Sequence, residues 1–121
     1  MILVDTSVWI DHLRAGVDDL ATRLNQNQVL MHPFVLGELA CGNLHNRNTV
    51  LALFKNLPQL TPASDDEVLF FIERHALMGR GIGYVDAHLL AAVALAGSAR
   101  LWTRDKRLRT IAEDLALAHA R

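Results

Sequence analysis

Met1-Ile2-Leu3-Val4-Asp5-Thr6-Ser7-Val8-Trp9-Ile10 opens the chain, and its first five residues decide the fold class. Ile2, Leu3 and Val4 form a short, uninterrupted apolar run. At a chain start such a run reads as a strand buried on both faces, as strands of parallel sheets are. An acid follows it at once. Thr6 or Ser7 can then cap a helix running to about Ala15, with Gly16 ending it.

Outward from this opening, strands and helices alternate. Residues 18–25 read as a second helix and residues 29–31 as a second strand. Pro33 suits the first turn of a helix over residues 34–44. Residues 49–56 form another helical stretch before Pro58, and Leu60 is expected in a short third strand before Pro62. Ser64-Asp65-Asp66-Glu67 is a capping box opening a helix to about Met78. Gly79-Arg80-Gly81-Ile82-Gly83 is the most flexible loop. Residues 84–96 read as a largely buried helix stopped by Gly97, and residues 100–103 as a fourth strand. Asp105 opens a last amphipathic helix with Leu108, Ile111 and Leu115 on its apolar side, and a short terminal strand is expected near Leu117. The alternation implies an α/β fold: a three-layer α/β/α sandwich around a central, mostly parallel sheet of four to five strands. It forms one domain over residues 1–121.

Composition narrows the function. Hydrophobic residues make up 51% of the 121, enough for a substantial core, and 12 Lys+Arg stand against 13 Asp+Glu. A net charge of -1 excludes a protein that coats nucleic acid by bulk charge, but not an enzyme with a local basic rim. Cys41 is the only cysteine, so there is no internal disulfide and no cysteine-rich zinc site. The chain start lacks the basic residues and longer apolar stretch of a secretory signal. The longest apolar run, residues 89–96, is far short of the roughly 20 residues of a spanning helix. The expectation is a cytoplasmic protein with no membrane association.

The carboxylates carry the chemistry. Asp5 directly follows the first strand and Asp105 lies two residues beyond Thr103, so both sit at carboxyl ends of strands, where open α/β sheets bind ligands at a reversal of strand order. Glu38 follows Phe34 and Val35 by one turn and precedes Leu39. Asp86 lies in the first turn of the apolar helix, among Val85, Ala87, Leu89 and Leu90. Both are expected on or near inward-packing faces, where a charge is costly without a partner. Four gathered carboxylates repel one another unless a cation cancels them. Oxygen ligands without His or Cys suit Mg2+ or Mn2+ better than zinc. Taken singly, Asp5 reads equally well as a helix cap, Asp105 better as one, and Asp86 as a complement to its helix dipole. The joint pattern is far more specific than any member.

At this point the residues resemble a known family, the PIN-domain nucleases, and within it the VapC toxins. The opening from Met1 to Ile10 is closely similar to theirs. The second acid resembles Glu38 in Phe34-Val35-Leu36-Gly37-Glu38-Leu39, the third Asp86 in Ile82-Gly83-Tyr84-Val85-Asp86-Ala87, and the fourth Asp105 in Leu101-Trp102-Thr103-Arg104-Asp105. The likeness extends to about Leu117 and is poorest over residues 43–57. It implies a metal-dependent endoribonuclease using Mg2+ or Mn2+, with Asp5, Glu38, Asp86 and Asp105 as catalytic and metal-holding residues. It also implies a type II toxin, a homodimer, and inhibition by a VapB-type antitoxin. Thr6, Ser7 and Thr103 match polar residues beside the family's acids. Ser7 and Thr103 could position water or a phosphate oxygen, with capping an equal reading for Ser7.

Arg80, Arg104 and Lys106 are candidates for a basic rim that meets RNA phosphates; Arg107 and Arg109 read as a solvated helix face. The six histidines, His12, His32 and His88 among them, show no ligand spacing and read as structural. The glycine loop has no Gly-Lys-Ser/Thr after it, which excludes a nucleotide cradle. Trp9 reads as core, although Val8, Trp9 and Leu13 together could line an antitoxin groove. Two other classes compete. An Mg-dependent α/β phosphohydrolase with an aspartate nucleophile needs a second acid two residues after Asp5, where Ser7 stands. A non-catalytic PIN-like binding module has no reason to keep all four acids.

Overall fold

Strand β1, Ile2–Val4, is buried along its whole length, because it is the middle strand of the sheet. In the computed structural model, which describes residues 1–120, β1 has a parallel strand on each edge. On one side Ile2 and Leu3 pair with Val29 and Leu30 of β2, Val29–Leu30. On the other, Ile2, Leu3 and Val4 pair with Arg100, Leu101 and Trp102 of β3, Arg100–Trp102. Seven helices complete the order: α1 Thr6–Ala15 and α2 Asp18–Asn25 after β1, α3 Pro33–Ala40, α4 Arg47–Lys55, α5 Asp65–Arg74 and α6 Tyr84–Ala96 after β2, and α7 Lys106–Asp114 after β3. With Leu3, Val4, Val29 and Leu101 almost fully buried, neither sheet face meets water, which is the three-layer arrangement.

The sheet has three strands, in the order β2-β1-β3, and not the four to five expected. The two outer positions shrink to single parallel bridges, Met31 with Gln59 and Leu101 with Ala118. At the first, the Met31 N–H donates to the Pro58 carbonyl and the Leu60 N–H to that of Met31. Pro62 has no N–H to continue the ladder. At the second, the Leu117 N–H closes the end of α7 on Ala112, so it is lost to the sheet.

Helix ends differ from the sequence reading where side chains intervene. Helix α3 stops at Ala40, and the Arg47 guanidinium donates to the carbonyls of Ala40 and Gly42. That contact ends α3 and sets the start of α4 at Arg47. Helix α5 ends at Arg74, short of Met78, because Ala76 takes a left-handed conformation (φ 51) and the Leu77 N–H turns back to Ile72. This Schellman closure drops Leu77 into the core. The glycine loop is fastened to α7: the Arg80 guanidinium pairs with Asp114, and the Arg107 side chain lies over Gly81. A Cβ on Gly81, at φ +84, would sit 2.6 Å from Arg107 Cδ.

The helix that carries Glu38 starts from a histidine cap. His32 is fully buried, and its Nδ1 accepts the Phe34 N–H at 3.0 Å. Burial, with a smaller push from His88, lowers its pKa from 6.5 to about 4. The unfolded chain therefore binds a proton here below about pH 6.5 that the folded protein refuses until about pH 4, so this group costs stability as pH falls through that window. Between pH 7 and 5 the loss from His32 is about 2 kcal/mol. In His32→Asn, which keeps an acceptor for the cap, urea midpoints at the two pH values should differ less than in the wild type; an unchanged difference would show that His32 does not titrate this way.

Candidate active site

The turn after β1 holds the most constrained acid. Asp5 stands at the N-cap position of α1, yet its carboxylate makes no bond to the helix amides, so the cap reading fails. Its Oδ2 instead accepts two hydroxyl protons, from Ser7 Oγ and from Thr103 Oγ1, each at 2.8 Å. A hydroxyl has one proton to give, so the 3.4 Å approach of Ser7 to Thr103 carries no further bond. The hydroxyl oxygens in turn accept from the backbone: Arg104 N–H to Ser7 Oγ at 3.0 Å and Asp105 N–H to Thr103 Oγ1 at 3.1 Å. Every donor in this chain points toward Asp5. Ser7 is thus no cap, and the hydroxyl protons of Ser7 and Thr103 orient the acid rather than face outward to water or phosphate. Both Asp5 and Thr103 are buried.

The other three acids approach from three elements. Asp105 caps α7, its Oδ1 accepting the Leu108 N–H at 2.9 Å; its structural reading holds for that oxygen. Asp86, in the first turn of α6, accepts the Gly83 N–H on Oδ2 at 3.2 Å. Glu38 does not lie on an inward-packing face. The stripe that α3 buries is Val35 and Leu39, and Glu38 lies beside it and is exposed, its Oε1 accepting the Thr6 hydroxyl at 2.6 Å. Each of the four thus has one oxygen held by a protein donor. Among the described residues, none of their other oxygens has such a donor and none of the four is ion-paired.

Asp86 reports the convergence. Its pKa is raised, first by burial and then by the charges of Asp5, Asp105 and Glu38, against the opposing Gly83 N–H. All three other acids therefore act on this one carboxyl. Among the described residues, no three of these side chains reach one point closely enough to ligate a single ion as they stand. Each is drawn back by its own donor, and mutual repulsion favours that spread. Four unpaired carboxylates, each with an uncommitted oxygen, nonetheless form a donor set that fits a hard, oxygen-seeking divalent cation.

The basic residues are more committed than expected. The Arg104 guanidinium pairs with Asp11 of α1 and Arg80 with Asp114 of α7, while Lys106 has no acidic partner among the described residues. Arg80, Lys106 and Arg107 line one hollow beside α7. Val8 and Trp9 belong to the core and do not line the groove beside the site. The surface groove beside the site is instead formed by Ile10, Leu13, Leu39, Leu44 and Val50, with Thr6 and Glu38 at its edge, and has a volume of about 500 Å³. Asp65, read from sequence only as part of a capping box, also holds the Tyr84 hydroxyl at 2.8 Å and lies 3.1 Å from His88 Nε2. The i, i+4 spacing of Tyr84 and His88 was the available signal for that cluster.

The chain matches the family model for the PIN domain over residues 2–114. Two curated relatives, both named Ribonuclease VapC32, come from Mycobacterium tuberculosis strains CDC 1551 / Oshkosh and ATCC 25618 / H37Rv. Each is 51% identical over 120 residues, covering 99% of this chain and 97% of its own.

A half-buried charge under pressure from three others should cost stability without a cation. Asp86→Asn keeps an acceptor for the Gly83 N–H and removes the charge. At pH 7, in chelator, its urea midpoint should exceed that of the wild type. The gap should close as pH falls, because a carboxyl with a raised folded pKa is neutral in both states below its unfolded value. A lower midpoint at pH 7 would mean that the acids do not crowd Asp86.

Proposed function

The chain belongs to the PIN-domain family, and from that premise we infer that it is an endoribonuclease of the VapC kind, the toxin of a type II toxin–antitoxin pair, which cleaves RNA with Mg2+ or Mn2+ held by Asp5, Glu38, Asp86 and Asp105. The observation that carries this reading is the set of four carboxylates, unpaired among the described residues, three of which raise the proton affinity of the fourth. When bound, a divalent cation supplies charge neutralisation at the attacking and leaving oxygens of phosphodiester cleavage. The chain's own residues prepare the site. Ser7 and Thr103 fix the rotamer of Asp5, Thr6 draws Glu38 toward α1, and the α7 amide at Leu108 turns Asp105. An aspartate-nucleophile phosphohydrolase is disfavoured, because the position two residues after Asp5 holds a hydroxyl committed to that acid. The relatives' printed name, Ribonuclease VapC32, supports RNA as the substrate. Of the proposed basic contacts, Lys106 is free to meet phosphate, whereas Arg80 and Arg104 must first leave Asp114 and Asp11.

The protein works, in this reading, as one domain in the cytoplasm. No helix among the described residues is long and apolar enough to cross a membrane. For the homodimer, exposed Leu69, Phe70 and Leu95 on α5 and α6 offer an apolar face to a second copy.

RNA cleavage should require added Mg2+ or Mn2+, stop in chelator and return with either metal. Asp5→Asn, Glu38→Gln, Asp86→Asn and Asp105→Asn should each reduce the rate by more than the roughly 10- to 100-fold typical of a lost supporting hydrogen bond. Ser7→Ala and Thr103→Val should fall within that range, and Asp66→Asn should leave the rate near wild type. Full cleavage in excess chelator, or equal losses from Asp66→Asn and the site acids, would overturn the assignment.

The VapB-type partner is assigned to the groove of Ile10, Leu13, Leu44 and Val50, where apolar residues of an antitoxin segment would be buried. An arginine of that segment reaching past Glu38 would pair with the site carboxylates. Metal and antitoxin should then weaken each other by the same factor. Calorimetric metal titrations of free protein and complex read that factor, and identical affinities would exclude arginine insertion. Leu13→Asp should weaken antitoxin binding and leave RNA cleavage intact.

A further inference from the structure

We propose that Phe34 and Tyr84 form a stacking platform for an unpaired base of the RNA, on the Glu38 flank of the site. The inference rests on the ribonuclease reading above and names the part of the substrate that this flank of the site takes. Phe34 precedes Glu38 by one turn on α3, so the two side chains are neighbours on the helix surface. Tyr84 opens α6, two residues before Asp86. The two rings meet through His88, whose ring centroid lies 4.6 Å from each, in edge-to-face arrangements of 63° and 84°. His88 is buried, while Phe34 is 37% exposed and Tyr84 46% exposed. One aromatic strip therefore runs from the neighbourhood of Glu38 to the first turn of α6, with His88 buried and two rings at the surface.

The strip is built to stay in place. Asp65 accepts the Tyr84 hydroxyl and lies within hydrogen-bond distance of His88 Nε2, which links the two rings through one carboxylate. His32 packs against the other side of Phe34, with ring centroids 5.3 Å apart.

Charge explains why a base is the fitting occupant. Four unpaired carboxylates repel a phosphodiester, and the nearby guanidinium of Arg104 is already paired with Asp11. The aromatic strip adds an attraction that does not depend on the charge of the cluster. A base offers a flat π face whatever its identity, and stacking on an aromatic side chain strengthens binding by roughly five- to a hundredfold per base. Bases in a duplex are already stacked, so the platform selects single-stranded segments.

The test uses fluorescein-labelled oligoadenylate and an abasic strand of equal length, with binding read by anisotropy in chelator so that nothing is cleaved. Wild-type protein should prefer the base-bearing strand by about tenfold or more. The double variant Phe34→Leu/Tyr84→Leu, which keeps apolar bulk and removes both π faces, should lose the preference and hold the abasic strand as the wild type does. Tyr84→Phe, which keeps the ring, should retain most of it. Retention of the preference by the double variant overturns the platform, as does an equal loss of affinity for both strands, which would mark a structural defect. The same preparation is assayed for Mn2+-dependent RNA cleavage. A wild type that cleaves but shows no base preference retires the platform alone, and one that does neither retires the ribonuclease reading with it.

Discussion

The two hydroxyl bonds that converge on Asp5 Oδ2 are the contact on which the site depends. The Thr103 bond joins the turn after β1 to the turn after β3, residues almost a hundred positions apart in sequence, and the Ser7 bond meets it at the same oxygen atom. The parallel pairing of β1 with β3 ends at Val4 and Trp102, and the Asp5 N–H continues it by donating to the Trp102 carbonyl at 2.9 Å. Backbone register thus delivers Asp5 and Thr103 to the same place, and the hydroxyls convert that register into a single rotamer for the acid. The amides of Arg104 and Asp105 hold the hydroxyls, so the start of α7, and with it the Asp105 cap, is set by the same network.

Around that fixed acid the protein tolerates a conflict. A half-buried Asp86 is surrounded by three like charges, and among the described residues no arginine or lysine neutralises any of the four. A sequence selected for stability alone would place cations there, and it has them close by: Arg104 and Arg14 both pair with Asp11 on α1. Keeping those guanidinium groups on Asp11 leaves the carboxylates free for an external cation. Local violation of the pairing rule, with the rule obeyed one helix turn away, is the pattern of a site kept for function at some expense in stability.

Much of this was legible in the sequence, and the losses have physical causes. The continuous apolar run of Ile2-Leu3-Val4 and the acid after it specify a buried central strand and its functional end, because period and position both point one way. The acids were placed correctly on their elements. Glu38 is expected on or near the inward face and lies beside it; Phe34, Val35, Leu36 and Leu39 make α3 apolar nearly all round, and only the packing of Val35 and Leu39 against the core resolves which face turns in. The outer strands were overcounted, because a lone apolar residue between two prolines or after a helix says nothing about how many N–H groups remain for a ladder. The pairing of Arg80 and Arg104 with acids 34 and 93 residues away is a tertiary fact with no local signal. The same holds for Asp65, whose capping-box position hid its second role under Tyr84 and His88.

Helix α3 gives the site its two flanks. Glu38 stands at the edge of the apolar groove formed with α1 and α4, while Phe34, one turn earlier, belongs to the aromatic strip shared with α6. A ligand lying along either flank reaches the same carboxylate, and the two ligands would be opposite in character. In the proposed reading, bare acids repel the phosphate of an RNA strand and attract the guanidinium of a peptide. The occupancy of the four carboxylates would, in the proposed reading, favour one flank over the other. In that reading, competition between metal with RNA and a cationic peptide would follow from the charge of the cluster, while the caps at His32 and Asp105 fix the starts of α3 and α7.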